Sequence, residues 1–385
     1  MRDGWRSTAK KSFAQRLPAR ADSGCRAVAA RGMGRPDKEY MKPTWYESLP
    51  KIELHIHLEG AIPHEALFDL MEKYGGDPAV PDVRALERRF QYRDFAQFMD
   101  AWSWKNQFLR EYEDFAHIAE RTARSLAEQN IRYAEVFFSP SIFARRGLEV
   151  QALTQAVRTG LSAVPEVEVA LVADLVRDYG PEAEMRTLME LNEVRALGVV
   201  GIGIGGSEHE YPPAPFEPLY REARRLGFHT TAHAGEAAGP ESIWDAIRHL
   251  RVERIGHGTR ASEDDELVRY LAREKIPLEV CPTSNVRTGV VAGLRDHPIR
   301  GYFEQGIIFS VNTDDPKMFG TSLAEEYRLL EQEFGFSREE IRGLILLGIE
   351  SSWLSADRKE SLAASFKEEQ SWVGRFNGEV PSSER

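Results

Sequence analysis

Three observations predict a (β/α)8 barrel. Eight short β-branched or apolar runs follow Lys51: IELHIH (52–57), YAEVFF (133–138), VEVALVADL (167–175), VVGIGI (199–204), HTTAHA (229–234), RIGHG (254–258), IPLEVC (276–281) and IIFSVNT (307–313). Amphipathic stretches such as EVQALTQAVRTGLSAV, EAEMRTLMELNEVRAL and DELVRYLARE lie between runs, each long enough for one crossover helix. An open doubly wound sheet is the competing arrangement, but VVGIGIGG runs on into SEHEYPPAPF and never completes a GxGxxG that opens a helix. Eight strands is the number that closes a barrel.

Taken in order, the elements exceed a minimal barrel in two places. Between the first and second runs lie FQYRDFAQFMDAWSWKNQFL and REYEDFAHIAERTARSLAEQN, a helical insertion on the side where barrels carry their sites. Its Phe95, Phe98, Trp102, Trp104 and Phe108 serve either as a cap over a substrate or as the core of an extra helical layer. After the eighth run, AEEYRLLEQEF, REEIRGLILLGIESSW and DRKESLAASFKEEQSWV predict additional C-terminal helices.

Composition limits the function classes. The chain of 385 residues is 42% hydrophobic and 10% aromatic, enough for a large core. No run approaches the ~20 apolar residues of a membrane span, and no secretory signal is evident. Two cysteines, Cys25 and Cys281, far apart and without CxxC spacing, argue against a disulfide framework or thiolate metal site, so the cytoplasm is the expected compartment. Residues 1–40 hold ten Arg or Lys against four acids, although the whole chain carries a net charge of −11. This segment reads as a basic disordered extension, a transit peptide being one alternative and a translation start at Met33 or Met41 another. The expected division is this extension, a catalytic barrel over 41–376 and a polar tail over 377–385. An acidic body disfavours nucleic acid as a partner. Oligomeric state leaves no mark in the sequence.

Candidate functional residues gather at the C-terminal ends of the runs. His55 and His57 close the first, two residues apart and therefore on one face of a strand; a metal pair and two hydrated imidazoles fit that spacing equally. His233 and Glu236 follow the fifth, His257 the sixth, and Asp314 with Asp315 the eighth. Imidazoles and carboxylates around one mouth are the donor set of a catalytic zinc site. HExxH and PCxxC are absent, which removes helix-borne zinc proteases and cysteine-ligated base deaminases. The fourth run offers neither Lys nor His toward the mouth, which argues against a second metal and leaves His257 for acid or base work.

The ordered set HIHLEGA, GGSE, HAGEAAGPESIW, RIGHGT, CPTSNVRTG and NTDDP(KM)FGTSL closely resembles the adenosine deaminase family of zinc aminohydrolases, from about Leu49 to the terminal helices. The resemblance implies one Zn2+ per chain, held by His55, His57, His233 and Asp314, and hydrolysis of the C6 amino group of an adenine ring to the 6-oxo purine and ammonia. It implies that His257 takes a proton from water and that Glu236 donates one to ring N1, a task requiring a raised pKa. Asp315 resembles the residue that bonds N7 and the Gly206 N–H the donor to N3, with His57 and Glu59 also lining the substrate. CPTSNVRTG, which by residue type could be a turn at Pro282 and Asn285, is implied to shape the site.

Departures from the family pattern occur at Glu59, where many members carry Asp near the ribose 5′-hydroxyl, at Phe137 in place of an arginine, and at Gly203 and Ser207 in place of aspartates. These are expected to bear on the sugar end and on packing rather than on zinc. The expected substrate is a small purine nucleoside, adenosine with 2′-deoxyadenosine, in purine salvage. The alternative is 6-aminodeoxyfutalosine of menaquinone synthesis; free adenine and a non-catalytic nucleoside-binding role rank lower, the latter because Glu236 and His257 are intact.

Overall fold

A computed structural model describes residues 43–373 except 93–94, and the side chains of 95 and 96 are likewise outside the description. The basic segment 1–40 and the polar tail 377–385 lie outside the described residues, as does the Phe95 side chain.

Among the described residues nine strands form: β1 (Lys51–His57), β2 (Ile131–Phe138), β3 (Glu168–Val176), β4 (Val199–Gly205), β5 (His229–Thr230), β6 (His233–Ala234), β7 (Ile255–His257), β8 (Leu278–Val280) and β9 (Phe309–Val311). All pairings are parallel. Parallel neighbours need crossovers, and helices such as Val150–Ser162, Pro181–Glu193, Glu217–Arg225 and Asp265–Glu274 provide them. Every residue of β1 is buried, as expected where a parallel sheet is covered on both faces.

The run HTTAHA, expected as one strand, is split. β5 pairs with β4 and β6 with β7, and the intervening Thr231 N–H donates to Ile202 O (3.0 Å) while Ala232 O accepts from Gly256 N–H (2.8 Å). The run therefore passes from one neighbour to the other midway. Two parallel sheets result among the described residues, β1-β2-β3-β4-β5 and β6-β7-β8-β9, rather than one continuously bonded ring. On the far side they meet at a single parallel bridge between Ile56 and Asp314, where His57 N–H donates to Asp314 O (2.8 Å) and Asp314 N–H to His55 O (3.1 Å).

Four helices separate β1 from β2: His64–Lys73, Val83–Arg89, Phe95–Lys105 and Tyr112–Glu128. Leu323–Gln332, Arg338–Ser351 and Ala356–Glu368 follow the last strand, each opened by a serine whose hydroxyl accepts from a first-turn N–H. CPTSNVRTG is not merely a turn. It contains the helix Pro282–Arg287, because Pro282 at the first helical position lacks only an N–H that would have no intrahelical partner. Among the described residues no helix is long and apolar enough to cross a membrane.

The strand interior holds a buried charge cluster. Arg254 Nη2–H donates to Glu135 Oε2 (2.5 Å), its Nε–H to Glu279 Oε1 (2.6 Å), and its guanidinium lies 3.6 Å from the Trp353 ring centroid. Glu135 also accepts from Tyr133 Oη–H and the Trp353 N–H. Removing one member of such a cluster strands the others in low dielectric. Arg254→Met is therefore expected to destabilise the fold by ~3–5 kcal/mol, read as a lower urea midpoint; an unchanged midpoint would show the cluster to be solvated.

Candidate active site

β1 places His55 and His57 on one side of the strand, β6 adds His233, and the segment after β9 adds Asp314, all four buried. His55 Nε2 and His233 Nε2 are 3.1 Å apart, His57 Nε2 and His233 Nε2 3.2 Å, and Asp314 Oδ1 lies 3.3 Å from His57 Nε2 and 3.6 Å from His55 Nε2.

Proton positions decide what such a cluster wants. His55 Nδ1–H donates to Glu279 Oε2 (2.7 Å), and His233 Nδ1–H to the Ile204 carbonyl (3.1 Å). In its neutral form, the form that binds a metal, each of these rings turns its Nε2 lone pair inward. Two lone pairs cannot hydrogen-bond each other, and the Asp314 carboxylate adds negative charge to the same point. A cation relieves all of these repulsions at once. Tetrahedral zinc with ~2.0–2.1 Å bonds holds its nitrogens roughly 3.3 Å apart, so the donor set and its spacing fit such an ion.

Outer partners hold this arrangement. Ser284 Oγ–H donates to Asp314 Oδ2 (2.6 Å). Asp314 and His257 both adopt left-handed φ, +64° and +60°, which a non-glycine residue occupies only when its surroundings require it. His257 Nε2 lies 3.6 Å from Glu236 Oε2 and 4.0 Å from Asp314 Oδ2. Its other nitrogen belongs to a chain of donors: Ile299 N–H to His297 Nδ1 (3.2 Å), His297 Nε2–H to Asn285 Oδ1 (3.1 Å), and Asn285 Nδ2–H to His257 Nδ1 (3.1 Å). The neutral His257 ring thus carries its proton on Nε2, facing the site.

Glu236 sits on a loop clamped by Glu208, whose carboxylate accepts from the N–H groups of Gly235, Glu236, Ala237 and Ala238. Burial, then the charges of Asp314 and Glu208, push the Glu236 carboxyl well above the usual carboxylate range. Asp315 is raised to about 8, by burial and then by the adjacent Asp314 charge.

His57, His233, Glu236, His257 and Asp314 line a cavity of about 290 Å³, together with Gly206 and Asp315. Gly206 has φ +106°, a conformation suited to glycine, and a Cβ there would meet Asp178 Oδ2 at 2.2 Å. The helix Phe95–Lys105 contributes Phe98, Met99, Trp102 and Ser103 to the wall, so part of the insertion does border the cavity. Trp104 instead packs on Phe90, Phe108 and Arg89. Glu59 is not on the wall: it is buried, and its Oε1 accepts from the Ser139 N–H (2.9 Å). Phe137 corrects another expectation. Its ring centroid lies 4.6 Å from that of His55 and 5.2 Å from that of His57, so this departure packs directly on two candidate ligands rather than at the sugar end.

Several polar residues at the site were not singled out from sequence: Asp174, Glu208, Glu279, Ser284 and His297. Asp174 and Glu279 lie within strand runs and resemble alternating outward acids until the register is known. Glu208 was quoted only as the end of GGSE.

The family model described as adenosine deaminase matches residues 50–369. The chain belongs to the adenosine deaminase family. Relatives of this deaminase carry different names at similar distances. An aminodeoxyfutalosine deaminase of Streptomyces avermitilis is 35% identical over 82% of this chain and 90% of its own length. An adenine deaminase of Bordetella avium is 37% identical over 78% and 96%, and an adenosine deaminase of Klebsiella pneumoniae 36% identical over 82% and 97%. Among solved structures, an adenine deaminase from Arthrobacter aurescens superposes with a TM-score of 0.79 at 32% identity, covering 84% of this chain and 99% of its own. A zinc-bound amidohydrolase from Burkholderia ambifaria gives 0.77 at 28%, covering 86% and 94%. The deaminase is thus a hydrolase of C–N bonds in a metal-dependent family.

Gly60 governs the position of Asp315, since a Cβ at residue 60 would fall 1.6 Å from Asp315 Oδ1. Gly60→Ala is expected to displace that carboxylate and lower stability by about 1–3 kcal/mol, measured by thermal denaturation in chelator; wild-type stability would show that the loop yields freely.

Proposed function

We propose that the protein is a cytoplasmic, zinc-dependent (β/α)8-barrel enzyme that hydrolyses the 6-amino group of an adenine nucleoside, with adenosine and 2′-deoxyadenosine as substrates in purine salvage. The convergence of three imidazoles and Asp314 beside Glu236, whose carboxyl is pushed up by burial and by the charges of Asp314 and Glu208, carries this reading.

His55, His57, His233 and Asp314 would hold the zinc, which when bound would supply Lewis acidity that lowers the pKa of water toward neutral. The chain's own groups do the rest. Glu236, kept protonated, donates to ring N1 and so quenches the charge that grows there as oxygen adds at C6. His257 presents Nε2–H to the attacking oxygen. This revises its expected role: with Nδ1 already accepting from Asn285, the ring orients the oxygen as a donor rather than taking its proton. Asp314 Oδ2, 4.0 Å from His257 Nε2, is then the acceptor for the water proton. Asp315 faces N7 and the Gly206 N–H faces N3.

A second reading has a specific basis. Glu59 is absent from the cavity wall, its Oε1 being taken by the Ser139 N–H, while Arg146 lines it, so the wall lacks the carboxylate expected at the ribose 5′-hydroxyl. That suits an adenine nucleoside with a bulky 5′ extension, as in 6-aminodeoxyfutalosine, the substrate named for the Streptomyces relative.

Absorbance and ammonia release with adenosine, 2′-deoxyadenosine, adenine and 6-aminodeoxyfutalosine separate the readings. Highest kcat/KM for adenosine supports the first; highest for the extended nucleoside replaces it with the second; no ammonia from any would refute both.

Glu236→Gln is expected to keep the metal yet lose roughly 10²–10⁴-fold in kcat, measured in single turnovers with metal content alongside. The pH dependence follows from the direction of its shift. The raised pKa carries the acid form to higher pH than an ordinary glutamate allows, so turnover persists below that pKa and falls as pH rises through it. An alkaline limb that is unaltered in Glu236→Gln would assign it to another group.

A further inference from the structure

Of the three imidazoles around the candidate metal, two have an acceptor for Nδ1–H: Glu279 for His55 and the Ile204 carbonyl for His233. His57 Nδ1 is buried and has no hydrogen-bond partner. The nearest carboxylate is Asp174 on β3, with Oδ2 3.8 Å from His57 Nδ1. Asp174 is itself buried at 7% exposure, and its Oδ1 has no hydrogen-bond partner either, lying 3.9 Å from His233 Nδ1. The unsatisfied His57 Nδ1 thus faces Oδ2 of a carboxylate whose other oxygen is itself unsatisfied, across less than an ångström more than a hydrogen bond, a gap that a small side-chain rotation closes.

The surrounding sequence makes room for this carboxylate. Asp174 is in register with Gly203 on β4, one of the positions where the family pattern has an aspartate. A Cβ on Gly203 would lie 3.7 Å from Asp174 Oδ1 and 3.0 Å from Phe137 Cε1, and one on Gly205 would meet Asp174 Oδ2 at 2.8 Å. Phe137 and Asp174 occupy the space that side chains on β4 would otherwise fill. The departures at Phe137 and Gly203 thus meet at Asp174, on the floor beneath the candidate metal ligands.

We propose that Asp174 is a positioning residue that accepts the His57 Nδ1–H, fixing the ring so that Nε2 points at the metal, and that it supplies from β3 the carboxylate missing at Gly203. The inference rests on the metal-dependent reading given above. Outer partners of this kind orient ligand histidines and raise their basicity. Asp174 acts through His57 rather than on the substrate.

Zinc affinity, measured by competition with a chromophoric chelator, tests this without any substrate. Asp174→Leu, of similar volume but with no acceptor, is expected to bind zinc roughly 10–100-fold more weakly than wild type, whereas Asp174→Asn, which keeps an acceptor oxygen, stays much nearer wild type. Metal-free melting curves report folding, and Asp174→Ala takes the place of the leucine variant if that variant does not fold. Leucine and asparagine variants that both bind zinc as wild type does overturn the proposal, as does equal weakening in both, which would mark the negative charge alone as the source. Failure of the wild-type protein to bind zinc would instead remove the metal-dependent reading itself, so the two failures are told apart.

Discussion

Mutual repulsion at one point organises this protein. In the neutral tautomers of His55 and His233 that Glu279 and the Ile204 carbonyl favour, two Nε2 lone pairs face each other with the Asp314 carboxylate beside them, an arrangement that a shared proton or a cation satisfies. Three of the four candidate ligands, His55, His233 and Asp314, are backed by a partner of their own, Glu279, the Ile204 carbonyl and Ser284 respectively, which opposes turning either of those two rings outward. Two parallel sheets, a left-handed residue at Asp314 and an interior arginine all serve to hold these groups together. A site so held is preorganised to stabilise charge as it develops, with no reorganisation needed during reaction.

The interior network extends that constraint into the core. Glu279 accepts from both His55 and Arg254, and Arg254 in turn binds Glu135, which takes the Trp353 N–H just after the helix Arg338–Ser351. A candidate metal ligand is thereby connected to the C-terminal helices through buried, fully paired charges. Such pairs contribute little net stability against an apolar core of the same shape, but they penalise any other arrangement of the strands. The family match over 50–369 includes those helices as well as the strands.

Much of this was legible in the sequence, and the limits have physical causes. His55 and His57 were readable because strand periodicity puts i and i+2 on one face, and His233, His257 and Asp314 because they end runs. The β-branched runs marked their strands to within a few residues, yet HTTAHA concealed its split, since pairing with two different neighbours leaves no trace in residue type. Asp174 and Glu279 escaped notice because an acid inside an apolar run reads as a solvent-facing position unless the sheet's curvature is known. Phe137 was noticed, but an apolar substitution carries no hint that its ring lies against two imidazoles. Helix Pro282–Arg287 was hidden by Pro and Asn, which serve helix starts and turns alike.

The bridge between Ile56 and Asp314 joins the first strand to the segment after the last. During synthesis His55 and His57 emerge early and His233 much later, while Asp314 and its Ser284 partner appear only when most of the chain is out. A nascent chain can therefore show two imidazoles to solution but cannot build the enclosed four-donor cage. A metal held by all four donors would in this way be captured only by the finished molecule, in which the two ends of the strand series have met.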